Sequence, residues 1–241
     1  MRAWAWVPLL VAWGLAAAAA RAAEGREVEG KVFDADGNPV AGIQVAPFWT
    51  QTDGVLVPRE AMTTDADGTF RGTLRWQGRS RSLLALSADR GLGAVATVEG
   101  EPGEPFTLHL VPTVRVRQTY SCAGLGQDPE RTWVSVTASP AAIGVVSVVT
   151  TTELSLPLPP GRYHLSVGAT DCRRERAVLE ILAEDREKDL GILDLAPTVI
   201  ALHHGKAPPA WTVTDARGAE PTVALADLRG KWVLLEFWGF W

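Results

Sequence analysis

The 241-residue sequence predicts a mostly β protein, two tandem β-sandwiches followed by an incomplete α/β segment. Three observations lead there. Apolar residues recur at every second position in short segments, as in Val114 and Val116 against Arg115 and Arg117, or Tyr163, Leu165 and Val167 against His164 and Ser166; this is the period of a half-buried strand. Gly- and Asp-rich turns separate these segments at the spacing of a sandwich. Before residue 200 only Arg173 to Arg186 offers a helical pattern, and its Arg/Glu-rich text also fits a solvated strand pair.

The length suits about two domains. With 46% hydrophobic and 21% charged residues the chain has the composition of a folded protein. The net charge of −5 and the lack of any Lys/Arg run longer than two argue against nucleic acid as a partner. Residues 1–22 read as a secretory signal peptide: Arg2, an apolar run from Ala3 to Ala20, then Ala20-Arg21-Ala22 as a small-x-small cleavage site. The alternative is a retained membrane anchor, since 18 apolar residues reach the lower limit for a bilayer span. Contact with a membrane is expected only in that case. Either way the protein is exported, to the periplasm or the cell surface, where its thiols meet an oxidising environment.

Val28 to Val45 reads as a hairpin around Asp34-Ala35-Asp36-Gly37-Asn38-Pro39. The wording recurs in Thr64-Asp65-Ala66-Asp67-Gly68-Thr69-Phe70, followed by strands at Leu83 to Ala88, Ala94 to Val98 and Phe106 to Val111. An EF-hand register through either turn puts Ile43 or Leu74 at the closing position, where calcium needs Glu. The favoured reading is therefore Asp side chains capping their own backbone. The two turn motifs, with Val28-x-Gly30-Lys31-Val32 and Pro39-Val40-x-Gly42-x-x-Val45, resemble the carboxypeptidase regulatory-like domain over residues 27–112. That resemblance implies a transthyretin-like β-sandwich acting as an accessory or binding module, with no catalytic residues to carry over.

A second sandwich is expected over residues 113–197. Its strands are the Val114/Val116 segment, Trp133 to Val136, Ile143 to Val149, Tyr163 to Val167, Ala177 to Leu182 and Leu190 to Leu195. The phrase Leu158-Pro159-Pro160-Gly161-Arg162-Tyr163 with the later Asp189-Leu190-Gly191-Ile192-Leu193 resembles another regulatory-like sandwich. Cys122 and Cys172, the only cysteines, both lie here and form a candidate structural disulfide. They lack the Cys-x-x-Cys frame of a reactive thiolate. A free buried thiol pair is the alternative.

His109 and His164 stand alone on strands. His203-His204 fall in a linker, 198–205, where an extended chain points them to opposite sides. The sequence holds no Gly-x-Ser-x-Gly, no phosphate loop and no His-Glu-x-x-His. No catalytic, cofactor-binding or metal-ligating residue is assigned, and no cofactor is expected.

Residues 206–241 change character: Ala207-Pro208-Pro209, Asp215, Gly218, Leu225, Leu228, Gly230-Lys231, then Leu234-Leu235-Glu236-Phe237-Trp238-Gly239-Phe240-Trp241. This resembles the opening of the TlpA-like, redoxin group of thioredoxin-fold proteins, in which the strand runs into Trp-Cys-x-x-Cys. The resemblance implies a full-length parent that is a thiol-disulfide oxidoreductase, or a peroxide-reducing relative, acting on a protein thiol or disulfide partner. The sequence stops where the first redox Cys is expected, as a fragment, a frame error or a selenocysteine UGA read as a stop. The chain as given is then inactive. The alternative function is a non-enzymatic extracytoplasmic binding or structural module built on the sandwiches.

Overall fold

A computed structural model describes residues 26–52, 54–74, 80–99, 105–141, 144–206, 222–232 and 234. Residues up to Thr198 make one compact unit, and Val199–Trp241 a second. The first unit is built from seventeen strands among the described residues. In chain order they are β1 (Arg26–Phe33), β2 (Gln44–Ala46), β3 (Phe48–Thr52), β4 (Val55–Arg59), β5 (Met62–Thr63), β6 (Thr69–Leu74), β7 (Ser80–Leu86), β8 (Leu92–Glu99) and β9 (Phe106–His109). They continue as β10 (Val111–Pro112), β11 (Val114–Ser121), β12 (Thr132–Ala138), β13 (Val146–Thr150), β14 (Glu153–Leu158), β15 (Gly161–Ala169), β16 (Glu175–Ile181) and β17 (Glu187–Asp194). The mostly β, sandwich-type class expected from the sequence is what forms.

Two hydrophobic cores organise these strands. The first lies between a three-stranded sheet, β6-β1-β9, and a five-stranded sheet, β10-β8-β7-β2-β5. Val28 and Val32 of β1, Phe70 and Leu74 of β6 and Leu108 of β9 meet Val45, Met62, Leu83, Ala85 and Ala94 from the facing strands. The alternation that marks β1 in the sequence is thus the alternation of core and solvent.

The hairpin expected from Val28 to Val45 does not form. β1 pairs antiparallel with β6 and parallel with β9. Beyond the Asp34 turn a single bridge joins Phe33 to Pro39, and the chain then crosses to the opposite sheet, where β2 pairs with β7 and β5. The reason lies in the second acidic turn, which occupies the place a returning strand would need. Val32 N–H donates to the Gly68 carbonyl at 2.9 Å, and a Cβ on Gly68 (φ +71°) would stand 2.6 Å from the Val32 carbonyl oxygen. Only glycine fits there.

Both turns are capped as expected, by their first Asp. Asp34 Oδ1 accepts from the Asp36 and Asn38 amides at 2.9 and 2.8 Å, and Asp65 Oδ1 from the Asp67 and Thr69 amides at 3.0 and 2.9 Å. Hydrogen bonds from the Asn38 backbone and side chain hold the Asp34 carboxyl below its ordinary range.

The second core lies between β14-β11-β17 and a six-stranded sheet in the order β16-β15-β12-β13-β3-β4. Val114, Val116 and Tyr120 of β11 face Val134 and Val136 of β12, Val146 and Val148 of β13, and Tyr163, Leu165 and Val167 of β15. Two of its six strands come from the N-terminal part of the chain. The hairpin β3–β4 pairs through Trp49, Thr50 and Gln51, in parallel, with Val146, Ser147 and Val148. Trp49 is fully buried in this second core beside Leu56, and its Nε1 donates to the Leu84 carbonyl at 3.0 Å.

Residues 173–186 resolve as strand and turn. β16 pairs along β15, and a turn closed by Asp185 on the Leu182 amide leads to β17. At the Pro-Pro-Gly corner the Tyr163 hydroxyl donates back to the Pro159 carbonyl at 2.7 Å, a tyrosine corner that clamps the start of β15. Tyr163→Phe removes that donor and leaves a buried carbonyl unpaired. Urea unfolding is expected to show a loss of about 1–2 kcal/mol with an unchanged slope.

In the second unit the segment expected to be an extended linker contains a short helix, α1 (Val199–His203), with His203 in its last turn. His204 N–H donates to the Ala201 carbonyl, so the two histidines follow helical rather than alternating geometry. A 3-10 turn at Leu225–Leu228 is closed by Asp227 accepting from the Ala224 amide at 2.9 Å.

Candidate functional site

The two cysteines, fifty residues apart in sequence, meet at one end of the second sandwich. Cys122 directly follows β11, and Cys172 sits in the β15–β16 turn beside Asp171, whose φ is +63°. The segment after β17 ties the two together: Leu195 N–H donates to the Ser121 carbonyl, Arg173 N–H to the Ala196 carbonyl, and Cys172 bridges Pro197. Asp194 Oδ1 accepts from Ser121 Oγ and the Ala123 amide at 3.0 and 2.8 Å.

Both thiols are buried and reduced in this structure. Burial first, then a hydrogen bond donated to the Cys122 sulfur, pushes the Cys172 thiol up to about 12. A neutral thiol of that kind is a poor nucleophile at neutral pH. The cleft beside the pair is lined by Gln127, Asp128, Glu130 and Asp171. No group of three or more His, Cys, Asp or Glu suited to a metal ion occurs among the described residues.

The other chemically distinctive region is the solvent face of the six-stranded sheet, opposite the core. Cross-strand register arranges it in rows. One row runs from Gly168 on β15 through Trp133 on β12 to Val149 on β13, and Val55 of β4, opposite Thr52, extends the apolar side. Trp133 keeps 41% of its surface exposed, and the Arg131 guanidinium lies 5.6 Å from its ring centre. The next row carries Arg176, Ser166, Ser135, Ser147 and Thr50 on five adjacent strands. All four hydroxyl residues are half-buried.

Charge on this face is one-sided. Among the described residues, Arg59, Arg131, Arg162, Arg174 and Arg176 share it with one carboxylate, Glu180. Glu175, at the start of β16, falls on the other side of the strand by register with Val167. Arg59 Nε donates to Thr50 Oγ1 at 3.3 Å, and Arg174 lies beside Gly168. The ion pairs among the described residues are Arg71–Glu29, Arg117–Glu187 and Lys188–Asp185, none of which involves these five arginines. On a chain of net charge −5 this is a local concentration of uncompensated positive charge.

Of the single histidines, His164 stands on this face opposite Val178, and His109 stacks on Phe33 with ring centres 5.8 Å apart. Sequence reading placed His164 and Ser166 on the exposed side of their strand without seeing the face they belong to. Its arginines are scattered from residue 59 to residue 176, and only strand pairing assembles them. The signal peptide or anchor at 1–22 lies outside the described residues, as does most of 206–241, on which the oxidoreductase reading rests. No helix among the described residues is long and apolar enough to cross a membrane.

No family model and no curated protein matches the sequence, so neither resemblance drawn from its motifs has a family match behind it. Among solved structures the chain is similar to the Bacillus anthracis TIE protein, with 14% identity over 73% of this chain and 34% of that one and a TM-score of 0.33. A streptococcal ancillary pilin gives 12% identity over 73% and 63%, with a TM-score of 0.32. Shaft pilin SpaA from Lactobacillus rhamnosus GG gives 9% over 72% and 98%, with a TM-score of 0.25. The chain spans about a third of the first of these and under two thirds of the second. Likeness of this order assigns neither role nor partner.

Proposed function

We propose that the chain is an extracytoplasmic, non-enzymatic binding module that holds an anionic ligand on the solvent face of its six-stranded sheet, with Cys122 and Cys172 closing as a structural bridge at the end of that sandwich. The observation that carries the binding role is the gathering, among the described residues, of five arginines, one carboxylate and an exposed tryptophan on one sheet face. Strands fix the spacing of such groups better than loops do. The leader-like residues 1–22 support export.

Retention on immobilised anionic polymers tests the binding role. The protein is expected to bind at 0.05 M salt and to elute as screening shortens from about 10 Å at 0.1 M toward about 3 Å at 1 M. Failure to bind any polyanion at 0.05 M salt would refute it.

A further inference from the structure

We infer that the anionic ligand is a carboxylated polysaccharide, a chain of uronic-acid sugars lying across the strands of the six-stranded sheet with one ring packed on Trp133. This rests on the anionic-ligand reading and names its chemistry.

Three features separate a sugar acid from other polyanions. The first is charge density. Six strands at roughly 4.8 Å spacing span about 24 Å. Duplex nucleic acid presents about one negative charge per 1.7 Å, or about 14 over that length. The face offers five arginines, set apart by hydroxyl and apolar residues. Sparse carboxylates separated by neutral groups match it better, and the planar guanidinium pairs with a carboxylate through two parallel hydrogen bonds.

The second feature is the row Ser166, Ser135, Ser147 and Thr50, one hydroxyl on each of four neighbouring strands. Each hydroxyl both donates and accepts, so the row is complementary to the ring hydroxyls of a sugar. An acidic peptide would leave most of these groups without partners. It would also find its backbone partners at a sheet edge rather than on a face.

The third is the setting of Trp133. Trp133 is half-exposed, and its cross-strand neighbour Gly168 presents no side chain of its own; the Arg174 side chain lies over that glycine, its Nε 3.8 Å from where a Cβ would stand. The C–H face of a pyranose ring packs on such a surface, while Arg131 and Arg174 stand near it to take the ring's carboxylate.

The test is calorimetric titration of the full mature chain with polygalacturonate oligomers, their methyl esters, poly-glutamate of equal charge and duplex DNA. Polygalacturonate is expected to bind at least ten-fold tighter than each of the other three. Trp133→Ala is expected to weaken it at least ten-fold, with Trp133→Tyr restoring most of the loss. The double variant Ser135→Ala, Ser147→Ala leaves charge and ring untouched and is expected to weaken binding several-fold. Circular dichroism is expected to match the parent in each case. Poly-glutamate or DNA binding as tightly as polygalacturonate, or unchanged affinity in the tryptophan and serine variants, overturns the sugar assignment and leaves the anionic site standing. Absence of binding to every anionic polymer overturns both.

Discussion

Replacing Trp49 with alanine is expected to lower the unfolding free energy by about 3–5 kcal/mol, a large share of the 5–15 kcal/mol typical of a domain. The side chain is completely buried, and the substitution removes its packing while leaving the Leu84 carbonyl without its indole donor. It also removes the surface under Arg90, whose guanidinium lies 4.9 Å from the ring centre and donates to Gln44 Oε1 and the Leu56 carbonyl at 2.9 and 3.0 Å. Those contacts fasten the β3–β4 hairpin to β7, β2 and the β7–β8 turn of the first sandwich, while backbone pairing joins it to β13. Trp133→Ala, at a half-exposed position on the other side of the same sheet, is expected to cost about 1 kcal/mol or less. Urea unfolding of both variants measures the contrast. Equal losses would mean that the hairpin is not anchored through Trp49.

Reducing the mature protein is expected to cost about 4 kcal/mol, the chain-entropy value for a loop of fifty residues closed by Cys122 and Cys172. Closure removes two protons and two electrons from the thiols. In an exporting cell a disulfide-bearing thiol oxidant accepts them and is itself reduced to the dithiol. Mass measurement under non-reducing conditions is expected to find the chain lighter by two hydrogens, and two free thiols would reject the bridge. Alkaline pH gives a second signature. In the reduced chain the folded state keeps Cys172 protonated up to about 12, whereas the unfolded thiol ionises from about 9. The unfolded state therefore loses its proton first, and stability falls as pH rises through that window. The bridged protein has no such thiol and lacks this dependence.

The parts of the fold that the sequence makes legible are those in which core and solvent alternate within one strand. In β11 and β15 every second residue is buried, and the alternation marks the strands without knowledge of their partners. Partnership itself is not written locally. The Asp34 turn has the composition of a hairpin turn, yet Gly68 of a second turn fills the space against Val32 and sends the chain across to the other sheet. The hairpin β3–β4 is equally hidden, because Trp49 and Leu56 bury against residues a hundred positions away. The cysteines were legible as members of one sandwich, but their meeting depends on the 194–197 segment that ties both loops. The arginine face was the least legible of all. Its positive charges form no run in the sequence, and the overall balance is acidic.

Two charge reversals of equal size test directly whether that face is the binding site. Arg174→Glu with Arg176→Glu alters the solvent face of the six-stranded sheet, and Arg115→Glu with Arg117→Glu alters exposed positions of β11 in the other sheet. Each pair changes the net charge by the same amount. The first is expected to abolish retention on immobilised polygalacturonate at 0.1 M salt, while the second leaves most of it. Equal loss in both variants would contradict the proposal, because binding would then follow total charge and not the arrangement of Trp133, the hydroxyl row and the arginines.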